Sequence, residues 1–168
     1  MDGTLIENMA YHFAAFDELA RRHGYKHLRP VDSRYYGWNN LDIFPEIVPA
    51  ADLARLGADN LSKEKEVVYR ELYAGHVKLT AGLDALLTDA RRCGVKCAIG
   101  SAGPRVNVEF IMREAKLKDR MDAYVCLDDV TRCKPDPEIF LTACERLHLA
   151  PHDCVVFEDG IPGIKAAL

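Results

Sequence analysis

Apolar residues at Met9, Phe13, Phe16, Leu19 and Ala20 recur at helical spacing through residues 7–22, and Gly24 follows as a stop. Residues 25–38 carry Pro30, Gly37 and several aromatics, and predict a loop. Short helices are expected over 39–47 and 51–56. A longer helix, rich in Glu and Lys, is expected over 59–77 with Leu61, Val68 and Leu72 on one side. No strand pattern precedes Val95. Beyond that point the pattern changes. Leu83, Leu86, Leu87 and Ala90 make a helix closed by Gly94, and residues 95–99 are a short apolar strand. A helix over 105–117 and a strand over 123–127 follow. Asp136 then suits an N-cap and Pro137 a first helical position. The core face of that helix is Ile139, Phe140, Ala143, Cys144 and Leu147. Residues 154–157 read as a buried strand, and 162–168 as the start of a last helix. Helices alternating with apolar strands predict an α/β fold: a Rossmann-like parallel sheet with helices on both faces. The helical stretch before it is set apart as an all-helical segment, residues 8–78 against 1–7 with 79–168.

Composition narrows the function. The 168 residues are 49% hydrophobic and 29% charged, an ordinary globular balance, with a formal charge of −4. No basic excess exists to hold a polyanion, so nucleic acid is not an expected partner. No apolar run is long enough to span a bilayer, so no membrane association is expected. The six cysteines form no C-x-x-C pair and no His follows them at zinc-finger spacing. Several lie in apolar runs, which reads as reduced, buried thiols in a cytoplasmic protein.

In a parallel α/β sheet chemistry sits at the carboxyl ends of strands. After 95–99 comes Gly100-Ser101-Ala102-Gly103, where a hydroxyl and backbone N–H groups at a helix start suit a phosphate; a structural turn explains the same residues equally well. After 123–127 come Asp128, Asp129 and then Lys134, which stands before Pro135 in extended backbone. A lysine there can neutralise a phosphoryl oxygen, although taken alone it reads more simply as a solvated surface residue. After 154–157 come Glu158 and Asp159, adjacent carboxylates that repel unless a cation intervenes; oxygen ligands in that setting suit Mg²⁺ better than a helix cap. Asp2-Gly3 opens the chain and fits a turn as easily as a catalytic loop.

Taken together, MDGTL at 1–5, GSAG around Ser101, CKPDPEIF around Lys134 and FEDGIPGIKAA around Glu158 and Asp159 resemble the four ordered motifs of the haloacid dehalogenase superfamily. The resemblance spans the chain. The helical insertion is similar to the cap of the β-phosphoglucomutase-like branch, and residues 7–12 look like that branch's hinge, His12 included. The resemblance implies a Mg²⁺-dependent phosphoryl-transfer enzyme acting on small organic phosphate esters, sugar phosphates foremost, through an aspartyl-phosphate. It implies Asp2 as general acid and base, Ser101 and Ala102 as phosphate holders and Lys134 as the neutralising cation. Glu158 and Asp159 become the Mg²⁺ carboxylates, joined by the backbone carbonyl of Asp2. His12, Trp38, Asn39, Asn40 and Lys65 become the cap residues that meet the substrate. Two departures stand out. The attacking Asp of the resembled motif belongs two positions before Asp2, so a chain truncated at both ends and inactive as written is expected. Asn40 stands where a mutase places an Arg for a second phosphate, which favours a phosphatase over a hexose-phosphate mutase. A non-catalytic domain that kept the fold is the reading from another class, and a receiver-type signalling domain fits less well because of the helical insertion. A monomer is expected.

Overall fold

The computed structural model describes residues 1–25, 31, 35 and 40–168. Trp38 and Asn39 lie outside them. The chain divides into two compact units, residues 8–74 and residues 1–7 with 75–168.

The first unit is helical. Its elements are α1 (Met9–Arg22), α2 (Asn40–Ile47), α3 (Ala50–Leu56) and α4 (Ala58–Tyr73). The stripe on α1 buries Phe16 and Leu19 against Ile43, Phe44, Ile47 and Val48 around α2, and Leu61 of α4. Each such side chain stabilises the fold by about 1.5–3 kcal/mol when fully buried. Gly24 ends α1 at φ +70°, and the Tyr25 N–H then reaches back to the carbonyl of Ala20 at 2.8 Å. Helix α4 stops at Tyr73, four residues before the expected 77, because Gly75 turns the chain at φ +75°. Its buried face is Leu61, Lys65, Glu66, Val68, Tyr69 and Tyr73, whereas Leu72 is exposed. Leu61 and Val68 therefore lie on the buried face as expected, and Tyr73 takes the buried place expected of Leu72.

The second unit carries α5 (Leu83–Arg92), β1 (Ala98–Gly100), α6 (Arg105–Glu114), β2 (Ala123–Val125), α7 (Glu138–Leu147) and α8 (Ile161–Ala167). Strands β1 and β2 pair in parallel, Ala98 opposite Ala123, Ile99 opposite Tyr124 and Gly100 opposite Val125. Val125, Ile139 and Ala143 form a buried cluster with Phe140 and Ala98 packed on it. A Cβ on Gly100 would stand 3.1 Å from the Phe140 ring, so the bare backbone lets that ring close on the end of β1.

Both strands are shorter than expected, for visible reasons. Before β1, the Cys97 N–H is taken by the carboxylate of Asp122 at 2.8 Å rather than by a strand backbone. After β2, residues Leu127–Asp129 wind into a 3-10 turn whose Asp129 carboxylate accepts the Cys126 N–H at 2.9 Å. Residues 154–157 form no ladder among the described residues, and Val155 and Phe157 are 81% and 69% exposed. Apolar character makes a segment suitable for a strand, but a strand exists only where a partner takes its backbone groups. Pro137, not Asp136, is the N-cap of α7; Asp136 still accepts the Glu138 N–H at 3.0 Å. No described helix is long and apolar enough to cross a membrane.

Candidate active site

The first six residues curl around one carbonyl. The N–H groups of Thr4, Leu5 and Ile6 all point at the Met1 oxygen, at 3.3, 2.8 and 3.4 Å, and Gly3 makes the turn possible at φ +68°. Thr80 secures the turn from outside: its N–H donates to Leu5 O and its hydroxyl to Thr4 O, both at 2.9 Å. This holds Asp2 in place. It also opens a gap that Asp159 fills, since a Cβ on Gly3 would lie 2.0 Å from Asp159 Oδ2. The Thr4 hydroxyl donates to Asp159 Oδ1 at 3.2 Å.

Ser101 follows β1 and is buried, its N–H on the carbonyl of Val125 at 2.9 Å. Its Oγ accepts the Gly103 N–H at 3.1 Å, which folds the Ser-Ala-Gly turn tightly and leaves Ala102 exposed. A Cβ on Gly103 would lie 3.3 Å from Ser101 Oγ and 4.0 Å from Asp2 Oδ2, so these two side chains flank the same glycine.

Lys134 is nearly buried and not a solvated surface residue. Its Nζ donates to Glu158 Oε2 at 2.9 Å and to the Gly100 carbonyl at 3.3 Å, and stands 4.8 Å over the Phe140 ring. With 10% and 13% side-chain exposure, the Lys134–Glu158 pair is screened far less than a surface pair. Glu158 also accepts the Gly160 N–H at 3.2 Å, and its carboxylate lies where a Cβ on Gly163 would be, 2.1 Å from Cδ.

Glu138 shapes the loop before Lys134. Its carboxylate accepts the Thr131 N–H at 2.8 Å, the Thr131 hydroxyl at 3.0 Å and the Arg132 N–H at 2.9 Å. The Thr131 N–H leads in holding its pKa below the usual carboxylate value. Sequence reasoning assigned no role to Glu138 or Thr4. Both lay inside quoted motifs, so position was the available signal, but nothing local pointed from Thr4 to Asp159.

The donors at Asp2, Glu158 and Asp159 are all oxygens, which suits Mg²⁺. Among the described residues no three acidic, His or Cys side chains converge into a ready cage. Two carboxylates and a backbone carbonyl fit an ion that keeps several of its waters.

The helical unit holds a second polar cluster, described by itself. Lys65, 2% exposed, donates to Glu66 Oε1 at 2.9 Å and sits 2.7 Å from His12 Nδ1. Asn40 donates to Glu66 Oε1 at 2.6 Å and to the Ser62 hydroxyl at 3.1 Å. The His12 ring stacks on Tyr69 with centroids 4.0 Å apart, and Asn8 donates to the Tyr69 hydroxyl at 2.7 Å. His12, Asn40 and Lys65 thus share one network. Glu66, the residue that neutralises Lys65, went unnoticed in the sequence because adjacent Lys and Glu on a helix usually point to solvent.

The model of the haloacid dehalogenase-like hydrolase family matches residues 1–168. The phosphorylated carbohydrates phosphatase of Thermotoga maritima is 28% identical over 99% of this chain and 77% of its own length. The β-phosphoglucomutase of Bacillus subtilis is 29% identical over 99% of this chain and 75% of its own. Among solved structures, a family IA, variant 3 hydrolase of this superfamily from Entamoeba histolytica superposes with a TM-score of 0.81 at 27% identity, covering 99% of this chain and 76% of that one.

Proposed function

The chain belongs to the haloacid dehalogenase-like hydrolase family, and from that premise we propose that it serves hydrolysis of small organic phosphates, phosphorylated sugars foremost, with Mg²⁺. The observation that carries this is the meeting of Asp2, Ser101, Lys134, Glu158 and Asp159, drawn from four separate stretches of sequence, within one compact unit.

The roles follow from the chemistry of each group. Ser101 Oγ and the backbone N–H of Ala102 hold phosphoryl oxygens at the start of α6. Lys134 offsets negative charge that develops on the transferring group, in a setting where such charge stabilisation is worth most. Its Nζ donates to Glu158 Oε2, which ties the lysine to a carboxylate assigned to the metal. Asp2 gives a proton to the leaving oxygen and takes one from water afterwards. The attacking carboxylate of the resembled motif belongs two positions ahead of Asp2. Glu158, Asp159 and the Asp2 carbonyl would hold Mg²⁺, which when bound adds charge stabilisation at the phosphoryl oxygens. In the helical unit, His12, Asn40 and Lys65 are assigned to substrate choice, together with Trp38 and Asn39, which precede Asn40 in sequence. Asn40 spends its amide on Glu66 and Ser62 and brings no charge for a second phosphate, which supports hydrolysis over isomerisation.

The test is phosphate release from p-nitrophenyl phosphate and a panel of hexose phosphates, by the 168-residue chain and by a chain extended upstream of Met1. Release that needs Mg²⁺, stops in EDTA and is lost in Asp2→Asn is expected. No release by either chain from any ester would overturn the proposal.

A further inference from the structure

Cys144 and Cys154 take no part in the chemistry above. Cys144 sits on α7, and Cys154 opens the stretch that leads, four residues on, to Glu158 and Asp159. All six cysteines are free thiols. The Cys144 S–H donates to Cys154 Sγ at 3.6 Å, close to van der Waals contact, while the Cys154 S–H donates to the Ala150 carbonyl at 3.5 Å. Both residues are half-buried.

The arrangement is polar in a useful sense. Burial pushes the Cys144 thiol up, and its bond to Cys154 adds to this. Cys144 therefore keeps its proton and aims it at its neighbour. The Cys144 S–H is directed at Cys154 Sγ, and Cys154 stands on extended backbone outside any helix, so Cys154 is assigned as the sulfur that reacts first and Cys144 as the one that follows. Cys154 comes directly after a 3-10 turn, Pro151–Asp153, in extended backbone at φ −114°, ψ 148°. No strand ladder holds it among the described residues.

We propose that Cys144 and Cys154 form a thiol–disulfide couple that a hydroperoxide closes and a thiol reductant reopens. The Cys154 thiolate attacks the outer oxygen of the hydroperoxide. The O–O bond breaks, leaving Cys154 as a sulfenic acid and releasing an alkoxide or hydroxide that takes a proton from water. Cys144 then attacks the sulfenic sulfur, the S–O bond breaks, and the oxygen leaves as water with the Cys144 proton. In sum, two thiols and one hydroperoxide give one disulfide, one alcohol (water where hydrogen peroxide is the oxidant) and one water. The sulfurs close from 3.6 Å to about 2.05 Å, the length of an S–S bond. In a reducing compartment such a bond is transient, as befits a sensing site and not a structural staple. Its consequence is local: α7 becomes tied to the stretch that carries the two acidic residues.

The experiment uses the whole chain. It is treated with a small molar excess of hydrogen peroxide, denatured in an alkylating reagent, digested and mapped by mass spectrometry. A cross-linked pair of peptides carrying Cys144 and Cys154, lighter by two hydrogens, is expected. Alkylatable thiols should fall from the six present by two, and dithiothreitol should restore them. In Cys144→Ser, a sulfenic acid should persist at Cys154 and be trapped by dimedone; in Cys154→Ser, Cys144 should stay reduced at the same dose. The exposed Cys93 and Cys133 serve as internal controls for simple accessibility. Oxidation confined to those two, with the Cys144 and Cys154 thiols of the unsubstituted chain still alkylatable, would overturn the proposal. So would links forming only between copies of the chain.

Discussion

At the scale of single residues, Lys134 decides between two readings of the same side chain. Its bonds to Glu158 and the Gly100 carbonyl place it inside the acidic cluster. Lys134→Ala should cost about 3 kcal/mol in kcat/KM, roughly a hundredfold or more, by analogy with loss of a charge stabiliser at a transferring group. A solvated surface lysine would change stability by only about 0.5 kcal/mol and leave kinetics alone; phosphate-release assays with parallel urea melts separate these outcomes. Asp129 makes a second prediction, about stability. Arg146 chiefly, then Cys126 and Arg105, hold its carboxyl well below the usual carboxylate range against the opposing effect of burial. A depressed folded-state pKa contributes stability that is fully present above the unfolded value near 4 and is lost as pH falls below it. Both arginines are partly exposed, so the bonds are worth roughly 1–3 kcal/mol together. Asp129→Asn should therefore lower stability by that amount at pH 7, with the gap closing toward pH 2. Urea unfolding at both pH values measures it.

At the scale of elements, two glycines shape the acidic cluster by what they lack. Gly3 and Gly163 leave space that the carboxylates of Asp159 and Glu158 occupy, 2.0 and 2.1 Å from the missing Cβ atoms. Gly163 lies within α8, where alanine would otherwise favour the helix by about 1 kcal/mol. Gly163→Ala should thus keep or raise helix stability yet displace Glu158, weakening Mg²⁺ binding at least severalfold by calorimetric titration. Unchanged Mg²⁺ affinity in that variant would remove Glu158 from the metal set. Helix propensity and site geometry pull in opposite directions at this position, so the two measurements separate them. The same scale explains where pattern reading failed. Residues 154–157 have the composition of a buried strand, yet Val155 and Phe157 face solvent, because pairing and not composition makes a strand.

At the scale of the whole molecule, family membership limits the reaction to a class, and the proposed preference for hydrolysis within that class rests on the helical unit. Within its polar network Lys65 is neutralised by Glu66, and Asn40 donates to Glu66 and Ser62. Breaking such a buried pair by removing one member costs about 3–5 kcal/mol, since the other charge is stranded. Glu66→Ala should accordingly be far more destabilising than Glu66→Gln, which keeps the acceptor for Asn40 and Lys65. With hexose monophosphate as substrate, phosphate release should exceed isomer formation, followed together by phosphorus NMR. Dominant isomerisation would reverse the ranking and assign the second-phosphate contact to residues other than Asn40.

Much of this protein was determined by its sequence alone. The periodicity of Met9, Phe16 and Leu19 sets α1, Gly24 ends it, and the order of four short motifs points to the family, because local spacing and backbone permission are written in neighbouring residues. Tertiary structure decided what depends on residues far apart in the chain. Asp159 meets Gly3 and Thr4 across 155 residues or more, and Lys65 turns inward because Glu66 and His12 receive it. Ladder length followed the same rule, since Asp122 intercepted the Cys97 N–H that a longer strand would have used. The physical reason is common to all three. A charge, a hydrogen-bond donor or a strand edge has a definite energy only once its partner is in place, and the sequence names candidates without pairing them.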